Sequence, residues 1–182
     1  GRLYFMPRKK IREKTEELLE FCGLIDFRRR TVRKLSGGMK RKLMVCRALL
    51  TEPEILLLDE PTAGMDALSR RQMWNLLRQL NDHNLTILLT THYMEEAESL
   101  CQRVAFMDRG RLEEVSEPKK MVEQLGHFAV DEMTSDGLKS HYFKNREDAI
   151  AHLSRLTGQT ALRNTTLEDV FVARAEQKER QR

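Results

Sequence analysis

The sequence has 182 residues, of which 40% are hydrophobic and 33% are charged, and 32 basic against 28 acidic side chains give a formal net charge of +4. This length fits one domain with or without an appendage, and the composition is not that of a disordered chain. No apolar run approaches the roughly 20 residues of a membrane helix, so we expect no direct membrane insertion.

The cysteines, the basic residues and the first residue of the chain indicate where the protein works and what it does not bind. Cys22, Cys46 and Cys101 are odd in number, far apart and free of any CxxC pair, which predicts buried cytosolic thiols rather than a disulfide framework or a zinc site. The basic cluster at residues 28–34 is typical of a solvated face, so no nucleic-acid partner is expected. The chain begins at Gly1 without a secretory signal, which predicts a cut or processed start.

Hydrophobic periodicity predicts two helices and a strand in the first third of the chain. An amphipathic helix is expected from Pro7 to Cys22, with Gly23 as its stop. A second helix follows Ser36-Gly37-Gly38 and carries an apolar stripe opposite basic side chains. The continuous apolar run at residues 55–58 predicts a strand buried on both faces.

The middle of the chain continues with alternating helices and strands. Asp66 is the expected N-cap of a helix that runs to Leu80, and residues 85–90 predict a second buried strand followed by another helix. Residues 104–114 predict a hairpin around Asp108-Arg109-Gly110. The order β-α-β-α-β implies a parallel sheet covered by helices.

After Pro118 the pattern predicts a small separate α+β extension at residues 117–174, followed by a frayed tail at residues 175–182. Its expected elements are a short helix near Met121, an alternating strand at residues 127–130, a helix capped by Asn145, a strand at residues 160–162, and a helix opened by a Thr165–Glu168 capping box.

Three groups of polar residues point to chemistry. Asp59 and Glu60 follow the apolar strand, at the sheet edge where α/β folds place ligands. One acid can hold Mg²⁺ through water while the other orients or deprotonates an attacking water; the alternative is two exposed acids that begin a turn. His92 can reach the same edge or be a structural histidine. Ser36-Gly37-Gly38 can present helix N-terminal amides to an anion or be an ordinary loop-to-helix junction.

Four segments in order, LSGGM, ILLLDEP, AGMDA and TTH, closely resemble the signature motif, Walker B strand, D-loop and H-loop of the ATP-binding-cassette (ABC) ATPases. GRLYFMPRK, THYMEEAE and TTLEDVF are similar to nucleotide-binding subunits of ABC-2 exporters. The resemblance covers residues 34–111 densely. It implies an α/β fold with part of a P-loop NTPase (RecA-like) core at residues 51–116, and a helical subdomain at residues 1–50.

The resemblance also implies ATP and Mg²⁺ as cofactors and a role for each motif residue. Asp59 would bind Mg²⁺ through water, Glu60 would polarise the hydrolytic water, and His92 would contact the γ-phosphate. Ser36, Gly37 and Gly38 would bind the γ-phosphate of the nucleotide held by a second cassette. Asp66 would lie at the interface between the two cassettes. Met39 and Ala67 depart from the commonest family residues without removing a donor group.

By the same resemblance, the chain would belong to a transport ATPase that works with a second cassette and a separate membrane permease, on the cytoplasmic face of the cell membrane. Two alternatives remain at this point. A soluble ABC ATPase acting on DNA or ribosomes is expected to show a coiled-coil insertion or a second cassette; neither is seen in these 182 residues, although a second cassette can lie outside them. A non-catalytic dimerisation module has no chemical need for Asp59, Glu60 and His92 together.

The phosphate-binding P-loop is absent from this sequence, because no glycine is followed by lysine and the loop requires G-x-x-x-x-G-K-[ST]. The glutamine loop expected before Pro7 is absent too. We therefore expect a C-terminal part of a cassette. Its strands would expose apolar edges that a missing segment, a partner or a swapped copy completes.

The 182-residue chain by itself is expected not to hydrolyse ATP, since the lysine and backbone amides that hold the β- and γ-phosphates are missing. Nucleotide titration combined with a phosphate-release assay measures this. Micromolar ATP affinity with turnover would contradict the expectation.

Overall fold

The structure, a computed structural model, describes residues 6–180, with side chains described as far as residue 179. The chain divides into two compact units, Gly1–His92 and Tyr93–Arg182, called here the N-terminal and C-terminal units. None of the helices in the described range combines the length and apolarity needed to cross a bilayer.

The N-terminal unit begins with two helices, α1 at Arg8–Phe21 and α2 at Gly37–Leu49, joined through 3-10 turns at Ile25–Phe27 and Val32–Lys34. Both helices match the sequence prediction. Gly23 follows α1 with a φ of 66°, a left-handed conformation that ends a helix and that glycine adopts without strain.

A parallel βαβ unit follows, as the sequence predicts. Strand β1 at Ile55–Asp59 and strand β2 at Thr86–Thr90 pair in parallel, with helix α3 at Ala67–Asp82 between them in the chain. Asp66 is the N-cap of α3, as predicted. The buried face of α3 supplies much of the core of this unit: Met73, Trp74, Leu76, Leu77 and Leu80.

The prediction that the apolar strand is buried on both faces is wrong for this chain. Successive side chains of a strand point to opposite faces, and Leu56 is 4% exposed whereas Leu57 is 70% exposed. Leu88, the partner of Leu57 in β2, is exposed as well. A two-stranded sheet with helices against one face leaves its other apolar face in solvent, because nothing in the described N-terminal unit covers it.

The third strand does not extend a parallel sheet, contrary to the predicted β-α-β-α-β arrangement. After helix α4 at Met94–Leu100, strand β3 at Val104–Asp108 pairs antiparallel with β4 at Arg111–Ser116. The hairpin itself confirms the sequence prediction. Its two turn residues, Arg109 and Gly110, both have positive φ, 47° and 75°, as type I′ hairpin turns require.

The rest of the C-terminal unit alternates helices and strands: α5 at Pro118–Leu125, β5 at Phe128–Thr134, β6 at Gly137–Phe143, α6 at Arg146–Leu153, β7 at Thr160–Asn164 and α7 at Leu167–Arg180. The strands form an antiparallel sheet in the order β6-β5-β7. Asn145 caps α6 as predicted, whereas β6 is absent from the prediction because its alternation of apolar and polar residues is weak.

One apolar core joins the hairpin to the C-terminal helices. Its buried members lie on α4, β3, α5 and α7: Ala97, Phe106, Met121, Leu167 and Val170. The contacts therefore group residues 93–116 with the segment after Pro118. The RecA-like core at residues 51–116, which the family resemblance implies, stays a prediction.

Two details of α7 differ from the prediction. Residues 175–180 are helical rather than frayed, and Lys178 Nζ bonds Asp108 Oδ2 at 3.0 Å and also Glu113. The helix begins at Leu167, and the carboxylate that reaches back to its N-terminal end is Asp169 rather than Glu168: Asp169 Oδ2 accepts hydrogen bonds from the Thr166 N–H and hydroxyl at 2.8 and 3.0 Å.

A charged network ties β5 and β7 to α7. Arg163 donates to Asp131 at 2.7 and 3.1 Å and to Asp169 at 2.7 and 2.8 Å. Burial alone would raise the pKa of Asp169, but the bonds from Arg163 and Thr166 outweigh it and hold that pKa below its ordinary value. The Arg163 network thus favours the charged form of Asp169 in the folded state.

Replacement of this arginine, Arg163→Met, is expected to lower the free energy of unfolding by about 1–3 kcal/mol near neutral pH, because two carboxylates lose their donors. A lowered folded-state pKa stabilises the fold above the unfolded value of about 3.9, so the difference should shrink as pH falls through the folded pKa of Asp169. Urea unfolding at several pH values measures it, with the exposed Arg155→Met as the matched control. A pH-independent difference would contradict the role of the ion pairs.

Candidate functional site

The carboxyl ends of β1 and β2 bring together the polar residues that follow them. In the parallel register Asp59 lies opposite Thr90, and the Thr90 hydroxyl donates to the Asp59 carboxylate. The Glu60 N–H donates to the Thr90 carbonyl at 3.0 Å. The pairing therefore continues one residue past β1 and orients Asp59 through a neighbouring hydroxyl.

Glu60 and His92 meet at this edge. His92 Nδ1 lies 2.9 Å from Glu60 Oε1, and since an ionised carboxylate only accepts, the ring nitrogen is the donor. Glu60 has a φ of 47°, a left-handed conformation that is strained for a residue with a side chain and that clusters at functional sites. Its Oε2 is buried without a hydrogen-bond partner among the described residues, so this carboxylate oxygen has an unused acceptor position.

The Ser36 turn has the form of an open helix N-terminus. Ser36 Oγ accepts from the Met39 N–H at 3.2 Å, and both Ser36 and Gly37 are exposed. A Cβ at Gly37 would meet nothing within 4 Å. The first turn of α2 therefore presents backbone amides to solvent, the arrangement in which helix N-termini bind anions.

Gly38 differs from Gly37, because it lies against α3. A Cβ there would be 3.0 Å from Ser69 Oγ and 3.1 Å from Ser69 Cβ. A second link between the two helices joins Lys42 Nζ to Gln72 Oε1 at 2.9 Å. Gly38 thus has a packing role within its own unit, which the motif alone does not reveal.

Asp66 is engaged by the helix that it caps. Its Oδ1 accepts from the Ser69 N–H at 2.8 Å and its Oδ2 from the Ser69 hydroxyl at 2.7 Å. These bonds lower the pKa of Asp66 against a small opposing effect of burial. Since Ser69 also contacts Gly38, the capping pair holds the N-terminal ends of α2 and α3 side by side.

The predicted site residues therefore fall into two clusters. Asp59, Glu60 and His92 form an acidic cluster at the sheet edge, whereas Ser36, Gly37, Gly38 and Asp66 lie where α2 and α3 begin. Thr90 and Ser69 belong to these clusters but are missing from the sequence prediction. Thr90 is recognisable only from the register of β1 with β2, while Ser69 had a sequence signal, because it stands three residues after an N-cap aspartate.

The donor groups fit the implied cofactors. Mg²⁺ prefers oxygen ligands and is commonly held by one or two carboxylates together with phosphates and waters, and Asp59 supplies an exposed carboxylate. Among the described residues, no group of three or more His, Cys, Asp or Glu side chains forms a metal cage. The free amides of the Ser36 turn suit a phosphate group.

Comparisons with known proteins agree with these motifs. The family profile described as ABC transporter matches residues 5–63. The daunorubicin resistance ATP-binding protein DrrA3 of Streptomyces coeruleorubidus is 46% identical over 112 residues, which cover 62% of this chain and 35% of that protein. Nod factor export ATP-binding protein I of Burkholderia lata is 36% identical over 193 residues, covering 94% and 64% of the two chains.

A further relative is the linearmycin resistance ATP-binding protein LnrL of Bacillus subtilis, 31% identical over 157 residues, with 86% of this chain and 50% of that protein covered. The chain thus spans about half the length of the curated relatives it matches.

Solved structures show the same fold. An ATP-binding cassette of an ABC transporter in its ADP conformation superposes with a TM-score of 0.61 at 23% identity, over 68% of this chain and 50% of that one. A nucleotide-free ATP-binding cassette gives a TM-score of 0.58 at 24% identity, over 60% and 44% of the two chains. This confirms the predicted P-loop NTPase type of fold.

The two glycines of the Ser36 turn are expected to respond differently to alanine. Gly38→Ala should destabilise the chain by about 1–3 kcal/mol because the new methyl group crowds Ser69, whereas Gly37→Ala should be neutral or slightly stabilising, since its methyl group enters open space. Urea unfolding of the two variants measures this, each being the control for the other. Equal effects would contradict the close approach of α2 to α3.

Proposed function

Because the chain belongs to the ATP-binding-cassette family, we propose that it supplies the Walker B, signature, D-loop and H-loop elements of an ATP-hydrolysing subunit of an exporter. The names of the relatives, which refer to drug resistance and Nod factor export, favour this proposal over an ATPase acting on DNA or ribosomes.

The observation that carries the proposal is the Glu60–His92 pair beside Asp59. In a complete cassette, Glu60 would accept a proton from an attacking water that reaches its buried, partner-free Oε2, while its Oε1 holds the His92 ring. A carboxylate that is positioned through one oxygen and accepts a proton on the other can act as a general base. The left-handed backbone of Glu60 turns the chain away from β1 and keeps the carboxylate at the edge.

Asp59 and His92 complete the cluster. Asp59, oriented by the Thr90 hydroxyl, would hold Mg²⁺ through water. When bound, Mg²⁺ neutralises charge on the phosphate oxygens. His92 is positioned by Glu60 so that the rest of its exposed ring reaches the γ-phosphate. Each residue thus has a separate task at one sheet edge.

The Ser36 turn supports a second part of the proposal, in which two cassettes share the nucleotide. Ser36 and Gly37 are exposed, and the space beside Gly37 is open, so the amides of this turn can bind the γ-phosphate held by a second cassette. Asp66, next to this turn through Ser69, lies at the same interface. Closure of the pair on ATP and its reopening after hydrolysis would move a separate membrane permease from the cytoplasmic side.

Replacement of the base, Glu60→Gln, is expected to slow ATP hydrolysis about 10²- to 10⁴-fold in a complete cassette that contains these residues, while ATP binding is retained. The amide keeps the shape of the side chain but cannot take up the proton. Steady-state phosphate release and nucleotide titration measure the two quantities, with the exposed Glu123→Gln on α5 as the matched control. Unchanged turnover would remove Glu60 from this role.

A further inference from the structure

Two of the three cysteines lie together between the first two helices. Cys22 stands at the C-terminal end of α1 and is 3% exposed, and Cys46 stands in the third turn of α2 and is 4% exposed. Both are free thiols in this structure. The cassette motifs do not involve either of them, so the proposed function leaves this pair without a role.

A shared hydrogen-bond acceptor brings the two residues together. The Leu18 carbonyl accepts from the Cys22 N–H at 3.0 Å and from the Cys46 thiol at 3.4 Å. Because both residues reach this one carbonyl, the two side chains lie next to each other between α1 and α2, although 23 residues lie between them in the chain.

The two thiols differ in pKa, so one of them forms the reactive thiolate more readily than the other. The neighbouring Cys22 thiol lowers the pKa of Cys46 against the opposing effect of burial, whereas the neighbouring Cys46 thiol and burial both raise the pKa of Cys22. Lys42, one turn before Cys46, adds a positive charge that favours the thiolate. Cys46 is therefore the more readily ionised member, and the thiolate is the form that attacks an oxidant.

We propose that Cys22 and Cys46 are a redox modification site, at which a peroxide converts the two thiols into a disulfide that joins α1 to α2. The Cys46 thiolate attacks one peroxide oxygen, which gives a sulfenic acid on Cys46 and releases the other oxygen as water. The Cys22 sulfur then displaces the sulfenic oxygen as a second water, and the S–S bond forms. Two electrons and two protons pass from the thiols to one hydrogen peroxide.

The disulfide would restrict the motion of the Ser36 turn. It would connect the end of α1 to the helix whose first turn holds Ser36, Gly37 and Gly38, so the Ser36 turn could no longer move independently of α1. A disulfide also restricts the unfolded chain. Because both sulfurs are buried, peroxide must enter during transient opening of the end of α1, and we expect oxidation over minutes to hours.

Cys101 is an internal control within the same chain. It lies in the C-terminal unit, is partly buried, and has a pKa raised by burial and by the nearby Glu96. A general oxidation of thiols would include Cys101, whereas oxidation directed by the geometry of the pair would leave it reduced.

The experiment exposes the folded 182-residue chain to hydrogen peroxide, then counts thiols after denaturation and maps disulfide-linked peptides by mass spectrometry. We expect one thiol to remain of the three, a single Cys22–Cys46 linkage within monomers, and reversal by dithiothreitol. The oxidised chain should melt about 5–10 °C higher than the reduced chain. Cys101→Ser should behave in the same way, whereas Cys46→Ser should lose both the linkage and the shift.

The same oxidation in urea is the reference for a chain without native geometry, in which linkages to Cys101 should also form. The wild-type peptide map requires no variant, so it tests the proposal even if Cys46→Ser folds poorly. Three remaining thiols after the native treatment, linkages that include Cys101, cross-linked dimers, or sulfinic acid without a disulfide would each overturn the proposal.

Discussion

The pairing of β1 with β2 in parallel is the interaction on which the candidate site depends. It places Asp59 opposite Thr90 and continues through the bond from the Glu60 N–H to the Thr90 carbonyl. Because parallel strands end at the same edge, residues more than 30 positions apart in the chain come within hydrogen-bond distance. A shift of this register by one residue would turn Asp59 to the other face of the sheet and separate Glu60 from His92.

The second cluster depends on a different contact, the close approach of α2 to α3 at Gly38 and Ser69. Asp66 orients Ser69 through two hydrogen bonds, and Ser69 in turn limits the space at Gly38. Gly38 therefore packs within the unit, whereas the neighbouring Gly37 stays exposed. This combination explains how a short motif can both join two helices and offer free amides to a ligand.

One apolar face of the β1–β2 sheet is exposed, unlike the apolar core of the N-terminal unit. Ile55, Leu57 and Leu88 are exposed, although their residue types are those of a buried strand. Contiguous apolar surface of this kind favours association in water.

Much of the local structure follows from the sequence itself. The helical spacing of apolar residues, the caps at Ser36, Asp66 and Asn145, and the Arg109-Gly110 turn act over a few residues, so their effects are visible in the chain order. The order of the four motifs likewise identifies Asp59, Glu60 and His92 as candidates. These features depend on short-range geometry, and the structure has the helices, the Asp66 and Asn145 caps and the hairpin where they were predicted.

Only the tertiary structure decided which distant residues meet. Thr90 beside Asp59, Ser69 against Gly38, and Cys46 against Cys22 each join segments whose contact depends on strand register or helix packing. The exposed face of β1 and the shared core of the hairpin with α5 and α7 depend on which surfaces the chain can cover. Composition and spacing determine what each segment can become, whereas burial is a property of the whole assembly of segments.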